Sequence, residues 1–205
     1  MFFVFDGVDG AGKSTQLNLF ASWLRDRGLD VVCCSDPGTT QLGNQMRSLL
    51  LGNHEVAIHM RSEMLMFMTA RCQLVEELIR PALASGKTVV CDRYVYSTVV
   101  YQGHAGDLNP DDVWQVNQIA TAGLMADMTF IFDLDVETVS QRLGESRDRM
   151  ESRGAAYFQR VRDGFLSEAK RWPELAMLVD ASGDIDSIQA TIRKATESIL
   201  ENTLG

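Results

Sequence analysis

A parallel β-sheet covered by helices on both faces is the fold class this sequence predicts, and three observations predict it. Five short apolar runs recur along 205 residues, amphipathic helical patterns separate them, and a glycine-rich turn closes the first run. Runs that are apolar throughout, rather than alternating, belong to strands buried on both sides. Ligands of such sheets collect at the carboxyl ends of the strands.

Taken in order, residues 2–5, 31–34, 88–91, 128–132 and 177–179 read as the five strands. Helical patterns fall between them. The first covers 14–27 and is ended by Gly28, and a long one runs from about 58 to 83 with a kink expected at Pro81. Two more cover 110–122, behind Asn109 as N-cap, and 185–200. There is no internal repeat, low-complexity tract or Pro/Gly/Ser linker, so residues 1–205 are expected to form one domain.

Composition narrows the function. The net charge of −9, from 19 Lys and Arg against 28 Asp and Glu, argues against nucleic acid or anionic lipid as a partner. The first five residues lack a basic flank and break at Asp6, so neither a signal peptide nor a membrane span is expected. Cys33, Cys34, Cys72 and Cys91 form no C-x-x-C pair, and all but Cys72 lie in strand-like runs where buried thiols are common; a reducing, cytoplasmic location follows. His54, His59 and His104 have no metal-binding spacing.

Gly7-Val8-Asp9-Gly10-Ala11-Gly12-Lys13-Ser14, followed by Thr15, fits G-x-x-x-x-G-K-[ST] directly between a strand and a helix. Glycines let backbone N–H groups curl around phosphate oxygens, and the helix N-terminus adds its positive end. Lys13 is placed to reach the β- and γ-phosphates and Ser14 to ligate Mg²⁺. The motif by itself means nucleotide triphosphate. None of the four lysines lies in an N-K-x-D guanine-reading motif, and the chain is short for an ATP-driven machine, so a small ATP-dependent phosphotransferase is expected.

The arginines mark a second anion site. Arg71 follows Phe67 by four residues on a strongly apolar helix, so both project from one face. That pair suits a flat base by stacking and a phosphate by a bidentate fork; the competing reading is a core Phe beside a helix-surface Arg. Asp92 ends an apolar strand, where a carboxylate near Mg²⁺ is expected, and Arg93 follows it at the ligand-binding end of the sheet. The charged, glycine-bounded stretch around 142–154, with Arg142, Arg147, Arg149 and Arg153, reads as a mobile lid whose arginines close over ATP.

Over nearly its whole length the sequence resembles the thymidylate kinase family, at five ordered motifs. They are the P-loop from Phe5 to Thr15, Asp36-Pro37-Gly38-Thr39-Thr40, Met46-Arg47-Ser48-Leu49-Leu50-Leu51, Leu65-Met66-Phe67-Met68-Thr69-Ala70-Arg71, and Asp92-Arg93-Tyr94 running on to Tyr101-Gln102-Gly103. The resemblance implies a P-loop NTPase fold and transfer of the γ-phosphate of ATP to dTMP, a step toward dTTP, by a homodimeric, Mg²⁺-dependent enzyme. It also implies that Phe67 stacks on thymine, Arg71 and Thr98 lie near the base, Arg47 and Arg93 bind the acceptor phosphate, and Tyr101 and Gln102 flank the sugar. Asp9 would bond the deoxyribose 3′-hydroxyl or help hold the metal, alongside Ser14 and Asp92. Lys13, Asp9, Arg93, Arg147 and Arg149 would share the catalysis. Gly10 stands where some members carry an arginine, so the chain looks like the lid-arginine subtype. Ser35-Asp36-Pro37-Gly38-Thr39 departs from the frequent Arg-Glu-Pro-Gly-Gly.

Overall fold

The computed structural model describes residues 1–52, 57–143 and 154–204. Strand β1 (Phe2–Gly7) leads through the glycine loop into α1 (Lys13–Arg25), then β2 (Val31–Ser35), α2 (Gln41–Leu51) and α3 (Met60–Leu74). A wide helical turn, Val75–Ile79, joins α3 to α4 (Arg80–Ala84) ahead of β3 (Thr88–Asp92). After it come α5 (Val95–Thr98), a second wide turn (Val99–His104), α6 (Pro110–Thr121), β4 (Met128–Asp133) and α7 (Val136–Leu143). The chain closes with α8 (Ala155–Arg171), β5 (Ala176–Asp180) and α9 (Ile185–Leu204).

The five strands are all parallel, in the order β2-β3-β1-β4-β5. Strands β2 and β3 lie on one side of β1 and β4 and β5 on the other, which opens a crevice at the carboxyl end of β1. Register puts Asp92 level with both Phe5 and Ser35 at that end. Beneath it the core is aromatic: Phe3, Phe5, Phe20 and Phe130 are fully buried, with neighbouring ring centroids 5.3–6.4 Å apart.

Gly7 is required twice over. Its φ is +127°, and a Cβ there would lie 2.5 Å from the Phe132 carbonyl oxygen on β4. At the far end of the loop Gly12 caps α1 from the left-handed region, φ 86°, which turns the first helical N–H groups toward the cavity.

The long helical pattern is real, and its departure from regular α-helix lies ahead of the proline, in the wide turn Val75–Ile79. Pro81 has no N–H for the carbonyl four residues back and its ring collides with it, and the helix meets this by widening just upstream. There the Arg80 N–H donates to Val75 O, five residues back. Ala105 N–H closes the second wide turn on Val100 O in the same way, at 2.8 Å. Helix α6 begins as expected, the Asn109 side chain accepting from Asp111 N–H at 2.9 Å.

One expectation fails. Cys34 and Cys91 are buried, but Cys33 is exposed, because β2 is an edge strand and covers only one of its faces. His54 lies outside the described residues. No helix among the described residues is long and apolar enough to cross a membrane.

Candidate active site

Two cavities open side by side at the carboxyl end of the sheet. One is lined by the glycine loop, with Gly10, Gly12, Lys13, Ser14 and Thr15, together with Ser35 and Asp92. The other is lined by Pro37, Leu51, Phe67, Arg71, Ser97, Thr98, Tyr101 and Gln102. Asp9, Asp36, Arg47 and Arg93 belong to both.

On the loop side, Lys13 is 7% exposed and its ammonium donates to Val8 O at 2.7 Å and Gly7 O at 3.2 Å. Burial, seconded by Arg93, pushes its pKa down to about 8. Ser14 Oγ donates to Asp92 Oδ2 at 3.1 Å, so the two residues expected at a metal do meet. Both offer hard oxygen to the cavity, a donor set that fits Mg²⁺, which takes few protein ligands and keeps water and phosphate for the rest. Val8 and Ala11 are buried and hold the loop on the core.

Arg93 ties the halves together. Its Nη1 donates to Ser97 Oγ at 2.9 Å, to Gly7 O at 3.0 Å and to Asp6 Oδ1 at 3.4 Å, and its Nη2 pairs with Asp9. Its backbone is in the left-handed region, φ 67°, a strain of about 1–3 kcal/mol for a side chain of this kind. Holding it there, its N–H donates to Phe5 O at 2.9 Å. Asp9 also receives the Tyr101 hydroxyl at 3.0 Å. Burial pushes the Asp9 carboxyl up, but Arg93 and Lys13 together outweigh it and hold the pKa at about 2.

On the acceptor side Phe67 is half-buried in the wall and Arg71 is fully buried behind it. The helix-surface reading of Arg71 does not hold, because the side chain is fully buried; it lines the acceptor cavity with Phe67, and its fork is bonded to the protein. Nε pairs with Asp36 Oδ2 at 2.5 Å, Nη1 with Asn117 and Met68 Sδ, and Nη2 with Thr98 Oγ1 at 2.9 Å and Tyr94 O at 3.0 Å. Arg47, exposed, donates to Pro37 O at 3.0 Å and reaches both cavities. Gln102 donates to Glu63 Oε1 at 2.8 Å. Arg142 Nη1 lies 3.4 Å from Gly10 O. Arg147 and Arg149, with the rest of the expected lid, lie outside the described residues.

Sequence reasoning passed over several residues that build this site. Asp6 is fully buried and accepts from Ser97 N–H at 3.0 Å and Ser97 Oγ at 2.6 Å. It ends an apolar strand just as Asp92 does, and that signal was available. Glu63, Ser97 and Asn117 carry no local signal, since each acts through a partner distant in sequence.

The chain is similar to known proteins over most of its length. The family model described as thymidylate kinase matches residues 5–192. A thymidylate kinase of Rhodopirellula baltica is 41% identical over 187 residues, covering 91% of this chain and 76% of that protein. One from Exiguobacterium sibiricum is 42% identical over 195 residues, covering 94% and 92%. Among solved structures, thymidylate kinase from Ehrlichia chaffeensis matches with a TM-score of 0.80 at 29% identity, over 95% of this chain and 97% of that one.

Proposed function

Because this chain belongs to the thymidylate kinase family, we propose that its joined cavities hold ATP on the glycine-loop side and dTMP on the α3 side. The reaction is transfer of the γ-phosphate of ATP to dTMP, giving ADP and dTDP, on a P-loop NTPase fold. The observation that carries the site assignment is the wall of Asp9, Asp36, Arg47 and Arg93, which lines both cavities and so places them next to each other.

The acceptor phosphate is already an anion, so the reaction needs alignment and charge cancellation rather than a strong base. Backbone N–H groups from Gly7 to Thr15 cradle the donor phosphates and Lys13 supplies the cation beneath them. Arg47 and Arg93 draw in the acceptor phosphate from the common wall, and Asp9, held between Arg93 and Tyr101, takes the deoxyribose 3′-hydroxyl or would help hold Mg²⁺. Phe67 stacks on the base, Arg71 and Thr98 back it, and Tyr101 and Gln102 close the sugar side. Ser14 and Asp92 would hold Mg²⁺, which would supply charge neutralisation on the donor phosphates.

We assign the segment around 142–154 as a lid of the single domain, whose Arg147 and Arg149 stabilise the phosphoryl in transit. Arg142, at its described edge, already reaches the loop at Gly10 O. Exposed Leu49 and Leu65, on the adjoining α2 and α3, together with Ile119 on α6, offer apolar surface for a homodimer, which light scattering tests. The four free thiols suit a reducing cytoplasm.

An ATP assay with dTMP set against UMP, CMP, AMP and GMP tests the acceptor; preference for a ribonucleotide would refute it. Arg147→Ala and Arg149→Ala are expected to lower kcat, by about 10³-fold or more for the arginine on the phosphoryl in transit, with little change in KM. Unaltered kcat in both would remove the lid from the mechanism.

A further inference from the structure

Helix α8 grips the wide turn Val99–His104 from outside the site. The two lie so close that a Cβ on Gly164 of α8 would stand 2.8 Å from His104 Cβ. Within that contact the buried Tyr157, in the first turn of α8, donates its hydroxyl to Tyr101 O at 2.9 Å. Carbonyls near the end of a helical turn run short of backbone N–H partners, so a side-chain donor from a neighbouring element sets where such a carbonyl lies. Arg160 holds the next stretch of chain in the same way, its Nε donating to Ala105 O at 3.3 Å. Tyr157 is not in the lining of either cavity, whereas Tyr101 is in the acceptor wall.

Tyr101 is thereby held at both ends. Its hydroxyl donates to Asp9 Oδ2 at 3.0 Å, and its ring meets Phe165 edge-on, with centroids 6.1 Å apart. We propose that Tyr157 is a positioning residue for sugar selection: by fixing the Tyr101 backbone it sets the gap between the Tyr101 ring and the sugar, and so decides how strongly a 2′-hydroxyl is rejected. This rests on the reading of the α3-side cavity as the dTMP site with Tyr101 against the sugar. A wall tells C–H from C–OH only if its own position is fixed more finely than the size of the added group, and the ring is no better fixed than the backbone that carries it. The base lies elsewhere in the cavity, against Phe67, so Tyr157 is expected to be silent on the identity of the base.

Steady-state kinetics on wild type and Tyr157→Phe with dTMP, ribothymidine 5′-monophosphate, dUMP and UMP tests this, since each deoxy and ribo pair differs only at C2′. Tyr157→Phe keeps the ring and removes the hydroxyl that holds Tyr101 O. The expected result is a fall of about threefold or more in the deoxy-over-ribo ratio of kcat/KM for both pairs, with the dTMP-over-dUMP ratio held within about twofold. A purely structural role for Tyr157 scales all four acceptors by one factor, and that result overturns the proposal. In a Tyr101→Ala background, Tyr157→Phe is expected to leave the deoxy-over-ribo ratio unchanged; an equal further fall there shows a route other than Tyr101 and also overturns it. So does wild type that uses deoxy and ribo acceptors equally well, an arm that needs no variant and survives if Tyr157→Phe does not fold. Wild type that phosphorylates none of the four refutes the reading of the cavity instead.

Discussion

Arg71 and Asp36 form an ion pair in which neither side chain meets solvent, with 1% and 0% of their surfaces exposed. Asp36 Oδ1, the oxygen that does not face Arg71, has no partner among the described residues, and burial pushes this carboxyl up even against the guanidinium. The pair stands because each charge needs the other. Asp36→Ala leaves Arg71 charged and buried, and is expected to cost about 3–5 kcal/mol. Asp36→Ala with Arg71→Leu should recover a large part of that loss. Thermal unfolding of the two proteins checks it, and a double variant less stable than the single one would contradict the pairing.

Lys13 gives a pH signature. Its ammonium has a pKa of about 8 in place of the ordinary 10.5, so without ATP it begins to lose its charge just above neutrality. Since kcat/KM for ATP reports the free enzyme, it is expected to fall as pH rises through about 8. Bound phosphate favours the ammonium, so the limb in kcat should lie at higher pH. Stability moves the opposite way. The group's burial cost is present below about 8 and is shed between about 8 and 10.5, where the unfolded chain holds the proton more tightly. A pH profile of kcat/KM flat from 7 to 9.5 would contradict the assignment.

Gly7→Ala should be poorly tolerated. The new methyl would meet the Phe132 carbonyl at 2.5 Å with the backbone at φ +127°, so overpacking and strain add. A loss of about 3 kcal/mol or more is expected, read as a lowered Tm. Gly12→Ala has open space around its Cβ and carries only the conformational cost, so it should unfold closer to wild type.

Thiol labelling separates the cysteines. Cys33 and Cys72 are exposed, whereas Cys34 and Cys91 are buried, and burial pushes the Cys91 thiol up. Brief alkylation of native protein followed by mass spectrometry is expected to place adducts on Cys33 and Cys72, with the other two reacting only after denaturation.

The legible parts of this molecule are those whose meaning is local. Gly7 to Ser14 forms one contiguous motif because phosphate is bound by consecutive backbone groups, and Asp92 is marked by the apolar strand it ends. The sheet was legible from its apolar runs, but its order was not, so Cys33 was read as buried on what proved to be an edge strand. Helices α2 and α8 went unread: α2 contains Gly43 and few buried positions, and α8 abuts the charged stretch before it. The acceptor wall was the hardest part. Asp6 and Ser97 are 91 positions apart and Arg71 and Asn117 are 46 apart, so these bonds exist only once the sheet has assembled. The irregularity expected at Pro81 is found as the wide turn at Val75–Ile79, because the strain is relieved where the turn can widen, before the proline rather than at it.

The wall held in common by the two cavities makes them poor candidates for independent tuning. A change at Arg47 or Arg93 alters the lining of both cavities at once, so the two Michaelis constants should drift together and resist separate selection. The same geometry favours inhibitors that join the two substrates covalently. A dinucleotide bridged through its phosphates would run along the shared wall, and its two halves would gain from one ordering cost instead of two.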